Sequence, residues 1–350
     1  MDISSYLKEL NKALGSDLLL VAGSPACLRV GNSLVKIGSP LSPEQIEALL
    51  IPIISKESMA EFKKVLELDV SYEDDMARYR INLHFQRGSI AATMRLVQRN
   101  IPTLEELGLP PIVKSFTNFE RGLVLITGPT GSGKSTTQAS MIDLINASRA
   151  CHIITIEDPI EYMHTPKQAI IEQREVGIDT LSFGEGLKRV LRQIPDVILV
   201  GEIRDLESIQ MAITAAETGH LVITTLHTPD AVQAVDRIID VFPPHQQNQV
   251  RTQLSLTLQG IVAQQLIPRK EGKGLALAAE VVVNTPAIRN IIRKGATQDL
   301  YSMVELGKQQ GMISMEESLK ELVNKGSISK EQALTYAINR DKLEKLLGLQ

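Results

Sequence analysis

Residues 123–135 read L-V-L-I-T-G-P-T-G-S-G-K-S: an unbroken apolar run, then a loop that matches G-x-x-x-x-G-K-[ST] at every defined position from Gly128 to Ser135. An apolar run that ends in such a loop reads as a buried strand feeding a helix. Glycines 128, 131 and 133 let the backbone turn tightly and aim its N–H groups at one point, the positive end of the helix that follows. Lys134 is then placed for the β- and γ-phosphates of a nucleotide and Ser135 for a hydroxyl contact to Mg²⁺, with Pro129, Thr130, Ser132 and Thr136 completing the cradle.

Downstream, short β-rich runs alternate with helical patterns. H-I-I-T-I (152–156) is followed by a helix opened by Ser182-x-x-Glu185, then V-I-L-V (197–200), a further helix and L-V-I-T-T-L (221–226). Alternation of this kind predicts an α/β core with a largely parallel sheet between helices. Hydrolysis needs carboxylates opposite the loop, and two candidates follow strands. Glu157-Asp158-Pro159-Ile160-Glu161 comes after the first run and Glu202 after V-I-L-V-G. An acidic residue just past an apolar strand can hold Mg²⁺ through water or orient the attacking water. The alternatives are a solvated loop charge or, for Glu202, an ion pair with Arg204. His220 and His227 bracket the last run; seven residues apart on a strand they face opposite sides and cannot share one metal ion. His227, at the strand end, is the better placed to sense a γ-phosphate, and a hydrogen-bonded structural role is the alternative for either.

Upstream lies a different texture. A helix near 3–13, a strand in D-L-L-L-V-A-G and a helix start at Ser42-Pro43-Glu44-Gln45 precede an alternating strand, M-A-R-Y-R-I-N-L-H-F. Gln86 to Ser89 then turns into A-A-T-M-R-L-V. This predicts a small α+β domain over 1–98. Three prolines between 98 and 111 mark a linker, taken as 99–118, ahead of a nucleotide-binding core at 119–285 and a mainly helical region at 286–350. In that last region Ser329-x-x-Gln332 opens a late helix. Earlier in it, Ile288, Ile291 and Ile292 make one apolar face while Arg289 and Arg293 form a basic stripe.

Composition removes several function classes. The 350 residues are 43% apolar and 22% charged, an ordinary globular balance. A net charge of −4, 3% aromatic residues and no Trp argue against a nucleic-acid partner. No apolar run approaches the ~18 residues of a membrane helix, and Asp2, Lys8 and Glu9 spoil an export signal, so direct membrane insertion is not expected. Cys27 and Cys151 are the only cysteines, without a C-x-x-C pair, so neither a disulfide framework nor a zinc site is expected. Both are expected to be buried thiols.

In order, G-P-T-G-S-G-K-S, I-E-D-P-I-E-Y, V-I-L-V-G-E-I-R-D and A-E-T-G-H-L-V-I-T-T-L-H-T resemble the Walker A, Asp box, Walker B and His box of bacterial secretion and type IV pilus motor ATPases. The resemblance extends to S-D-L-L-L-V-A-G-S-P, to R-Y-R-I-N-L-H-F-Q-R-G and to A-I-R-N-I-I-R-K-G at 287–295. This last segment is similar to a helix of the pilus retraction motors, the PilT-like branch. What the resemblance implies is a RecA-like P-loop core with an N-terminal PAS-like α+β domain and a C-terminal helical extension. It implies a cytoplasmic homohexamer with ATP and Mg²⁺ between subunits and no zinc, peripheral to the inner membrane through a pilus platform protein. Glu161 would be the general base, and Glu202 would organise Mg²⁺ and water. Arg80 and Arg95, with Arg78 as a weaker third, would complete the site across the subunit interface. The implied activity is ATP hydrolysis coupled to pilus disassembly. Pilus assembly and type II secretion ATPases are the alternative within the superfamily, but they carry a tetracysteine zinc element and a longer N-terminal region. A weakly hydrolysing accessory subunit is another alternative. Two departures stand out: Leu19 where the family has S-D-L-H-L, and Ile194 where it has R-Q-D-P-D. Ile194 is expected to remove an acidic contact on the approach to Glu202 and so to alter turnover.

Overall fold

The computed structural model describes residues 2–31, 33–97, 100–272 and 274–349; the expected boundary between 98 and 99 lies outside the described residues. The chain divides into two units, one formed by 1–100 with Glu161–Met163, the other by 101–160 with 164–350.

In the first unit the Asp2 carboxylate accepts from the Ser5 N–H and caps α1 (Ile3–Lys12). Strands β1 (Asp17–Leu20), β2 (Ala26–Val30) and β3 (Ser33–Ile37) follow, then α2 (Pro43–Leu50), which opens with a complete Ser42/Gln45 capping box, and α3 (Lys56–Val65). Strands β4 (Glu67–Glu73), β5 (Arg78–Gln86) and β6 (Ser89–Leu96) complete an antiparallel sheet of order β3-β2-β1-β6-β5-β4. The β5–β6 turn has Arg87 at φ 50° and Gly88 at φ 76°, the left-handed pair that suits a two-residue hairpin. Alternation along β5 buries Tyr79, Ile81 and Leu83 with Leu7, Ile46 and Phe62 from the helices, while Arg78, Arg80 and Asn82 take the other face.

The second unit starts earlier than the expected core. Leu104, Leu109 and Val113, the last on α4 (Ile112–Ser115), are buried with Phe116 in its interior, so most of the segment read as a linker is part of the packing. Phe116 fills space that only a glycine leaves open: a Cβ on Gly260 would lie 2.3 Å from its ring. Next come β7 (Gly122–Thr127), α5 (Lys134–Ser148), β8 (His152–Glu157), β9 (Ile170–Glu175), α6 (Phe183–Val190), β10 (Val197–Val200), α7 (Leu206–Glu217) and β11 (Leu221–Leu226). Helices α8 (Ala231–Asp240) and α9 (Pro244–Thr257) lead to the hairpin β12 (Leu258–Pro268) and β13 (Leu275–Val283). The sheet order is β13-β12-β7-β11-β10-β8-β9, parallel throughout except for β13. Strands β7, β10 and β11 are buried on both faces, which is why they read as continuous apolar runs.

Helices α10 (Pro286–Lys294) and α11 (Leu300–Leu306) pack into the core through Ile288, Ile292, Leu300 and Val304. Helices α12 (Met315–Asn324), α13 (Lys330–Tyr336) and α14 (Arg340–Leu346) close over Ile267, Ala276 and Ala278 of the β12–β13 hairpin. Cys27, the second residue of β2, and Cys151, just before β8, differ from expectation in being only half-buried.

Candidate functional site

Strand β7 delivers the phosphate loop. Gly128, Gly131 and Gly133 have φ of 147°, 78° and 88°, conformations that side chains rarely tolerate. At Gly128 a Cβ would also lie 2.4 Å from the Gln264 carbonyl oxygen and 2.5 Å from Ser132 Oγ. Pro129, Thr130 and Gly131 are solvent-exposed, whereas Lys134 is only 8% exposed and its Nζ donates to the carbonyls of Gly128 and Pro129 at 2.8 and 2.9 Å. Helices α1, α7 and α8 are capped by the carboxylates of Asp2, Asp205 and Asp230, but α5 starts after Gly133 with no side-chain cap. Its first-turn N–H groups, with Lys134 among them and the Ser135 and Thr136 hydroxyls following, suit the phosphates of a nucleotide.

Glu202 lies two residues beyond β10, at the same sheet edge. Its Oε1 is 2.6 Å from Arg204 Nε and its Oε2 is 3.1 Å from His227 Nε2. The ion pair weighed as an alternative is therefore present, but Arg204 is 71% exposed, and such surface pairs contribute little and exchange readily. The Glu202 main chain is held tightly. Gly201 N–H donates to the Ile156 carbonyl at 2.7 Å, Thr225 Oγ1 donates to the Gly201 carbonyl at 2.7 Å, and Ile203 N–H donates to the Thr225 carbonyl at 3.2 Å. Gln138 Nε2, from α5, donates to the Val200 carbonyl at 3.1 Å. His227 is anchored next door, because Thr228 N–H donates to Thr127 Oγ1 at 3.1 Å, and the Thr127 hydroxyl also meets the Thr228 carbonyl. The parallel register of β7, β10 and β11 thus brings the phosphate loop, Glu202 and His227 to one edge.

His220 stands at the opposite end of β11, with Nδ1 3.0 Å from the Ala215 carbonyl, and takes a structural role. Glu157, the last residue of β8, accepts from Thr155 Oγ1 at 2.6 Å and Gln173 Nε2 at 3.2 Å. Glu161 is exposed and belongs to the first unit. Arg80 and Arg95 are direct cross-strand neighbours on β5 and β6, with Arg78 on the same face of β5. Arg95 Nε is 2.8 Å from Asp17 Oδ1, and Asp17 also meets Arg29 at 3.9 Å. Arg80 has no ion pair among the described residues. The expected site residues therefore fall in both units: Lys134, Ser135, Glu202 and His227 in one, Arg80, Arg95 and Glu161 in the other.

The expectation for Ile194 needs correction. Ile194 precedes β10, and its carbonyl meets His152 Nδ1 at 3.1 Å where β8 begins. Strand β10 is four residues long, roughly 13 Å, and separates it from the edge that carries Glu202. The missing acid is not on the approach to the site. Gln138, Thr127, Thr225 and Thr228 were not singled out in the sequence; three threonines flanking strand ends were the available signal.

A phosphate loop, a carboxylate past the neighbouring strand and a histidine at the end of the next, all on one edge of a parallel sheet, define a RecA-like P-loop ATPase. Residues 90–339 match the family described as Type II/IV secretion system protein. The chain belongs to that family, in its branch of type IV pilus retraction ATPases. It is 46% identical to the type IV pilus retractation ATPase PilT of Pseudomonas aeruginosa, over 95% of this chain and 97% of that protein. With the type IV pilus ATPase PilU of the same organism identity is 40% over 100% of this chain and 92% of the relative. The crystal structure of the pilus retraction motor PilT with bound ADP matches at a TM-score of 0.93, with 42% identity and 99% of each chain covered.

Proposed function

We propose that this chain is the ATP-hydrolysing subunit of a type IV pilus retraction motor, working as a homohexamer that engages a pilus platform protein at the inner membrane. The observation that carries this reading is near-full-length similarity to PilT together with an intact phosphate loop, Glu202 and His227 at one sheet edge. Mg²⁺ bound with ATP supplies positive charge to the phosphates. Lys134 and the first turn of α5 would bind those phosphates, and Ser135 and Glu202 would hold the metal. His227 orients Glu202, and Glu161 takes the proton of the attacking water. Arg80, unpaired among the described residues, serves the site of a neighbouring subunit; Arg95, already paired to Asp17, contributes only after that pair opens.

Two experiments test this. Lys134→Ala removes charge-assisted bonds worth roughly 1.5–3 kcal/mol each, so turnover should collapse, while Glu161→Gln and Glu202→Gln should bind ATP without hydrolysing it. Mixing Arg80→Ala with Lys134→Ala subunits restores some interfaces in which an intact arginine faces an intact loop, so activity should exceed that of either parent. No gain in confirmed rings would place Arg80 outside a neighbour's site. Similarity over the whole chain to a second type IV pilus ATPase, PilU, leaves a different pilus ATPase role as the second reading. Deleting the gene separates directions: loss of a retraction motor leaves abundant pili on non-motile cells, loss of an assembly motor removes the pili.

A further inference from the structure

We propose that Gln138 is a positioning residue for hydrolysis, a buried amide on the phosphate-loop helix that fixes the main chain carrying Glu202. The inference rests on the assignment of Glu202 made above. Gln138 is 4% exposed, in surroundings where an apolar side chain of similar volume would avoid the cost of burying an amide. Its donor is satisfied by one group, the carbonyl of Val200 at 3.1 Å, two residues before Glu202. It lies four residues after Lys134, so the two share one face of α5. The helix that presents Lys134 to the phosphates therefore also sets where β10 ends.

A second side chain completes the mounting. Thr225, 3% exposed, donates to the carbonyl of Gly201 at 2.7 Å, so the two carbonyls before Glu202 are held by side chains from two different elements. The Thr225 bond ties Glu202 to β11, the strand that delivers His227. The Gln138 bond ties it to the phosphate loop. Losing the latter leaves the phosphate cradle and the Glu202–His227 contact intact but frees their separation, and small misplacements of a metal-organising carboxylate lower the chemical step more than binding.

The test is a kinetic split. Gln138→Leu keeps the volume and removes the donor. Its kcat should fall about three- to tenfold, the equivalent of one hydrogen bond, with KM and the affinity for a fluorescent ADP changed by less than about twofold. Gln138→Glu supplies a sharper signature. Burial raises the carboxyl pKa, and only the protonated form can donate to the Val200 carbonyl. The ratio of variant to wild-type kcat should therefore climb as pH falls from about 9 to about 6. Thermal melting confirms that each variant is folded. An unchanged kcat in folded Gln138→Leu, a loss of kcat and ADP affinity in step, or a flat ratio in folded Gln138→Glu would each overturn the proposal. Glu202→Gln run alongside separates the two failures. Normal turnover there removes the Glu202 assignment itself, whereas inactivity there with normal Gln138→Leu removes only the positioning role.

Discussion

Ile194 combines two unfavourable features in one residue: a left-handed backbone at φ 56° and a β-branched side chain that is 86% exposed. It also precedes Pro195, a position that ordinarily favours extended backbone. For such a residue the left-handed region costs on the order of 1–2 kcal/mol, and asparagine tolerates it better. Ile194→Asn should therefore raise Tm by about 1–2 °C and leave kcat unchanged, because the residue stands at the far edge of the sheet; a lower Tm would show that Ile194 makes a stabilising contact. The same scale explains which site residues were legible. Lys134, Ser135 and Glu202 sit inside short patterns whose chemistry is local in sequence. Gln138 acts through a partner 62 residues away and no local pattern marks it, while Thr225, whose partner is 24 residues away, is marked only by its place near a strand end.

Among the elements, α10 behaves as its spacing predicts. Ile288 and Ile292 are fully buried, whereas Arg289 and Arg293 are exposed on the far side, and Gly295 closes the helix at φ 72°. Surface charge removal usually shifts stability by less than about 0.5 kcal/mol. The pair Arg289→Ala with Arg293→Ala should therefore keep assembly and most ATPase activity while abolishing pilus retraction in cells. Normal twitching by the double variant would reduce the stripe to solvated surface. Strands β7, β8, β10 and β11 were readable because burial on both faces leaves an apolar run. Strands β9, β12 and β13 were not. On β12, Gly260 makes room for Phe116, and the wholly buried Gln264 donates to Thr137 Oγ1 at 2.8 Å, so polar letters occupy interior positions. Edge strand β9 mixes Glu172, Gln173 and Arg174 with two isoleucines.

For the molecule as a whole, pH enters through Glu280. This β13 carboxyl is 3% exposed, accepts from the Ala231 N–H at 3.0 Å and is pushed up to about 7 by burial. Around it stand Asp230 at the start of α8, Tyr301 and Glu305 on α11, Glu316 on α12 and Lys342 on α14. Lys342 pairs with Glu305 at 2.6 Å and with Glu316 at 3.6 Å. A carboxyl that holds its proton more tightly when folded gives its full stability below its ordinary value of 4.5 and loses it as pH rises to about 7. Glu280→Gln keeps the acceptor for Ala231. It should melt higher than wild type near pH ~8, by on the order of 3 kcal/mol or less, and match it near pH ~4. An equal difference at both values would assign the effect to packing. The uncapped start of α5 has a further consequence at this scale, one of mass action. A nucleotide that binds the folded protein and not the unfolded chain links folding to ligand occupancy, so the stability of the protein rises with the ADP and ATP around it. At a free nucleotide concentration about a hundredfold above Kd the linkage amounts to roughly 2.7 kcal/mol. A cell that runs short of ATP and ADP together would thus leave this protein easier to unfold as well as idle.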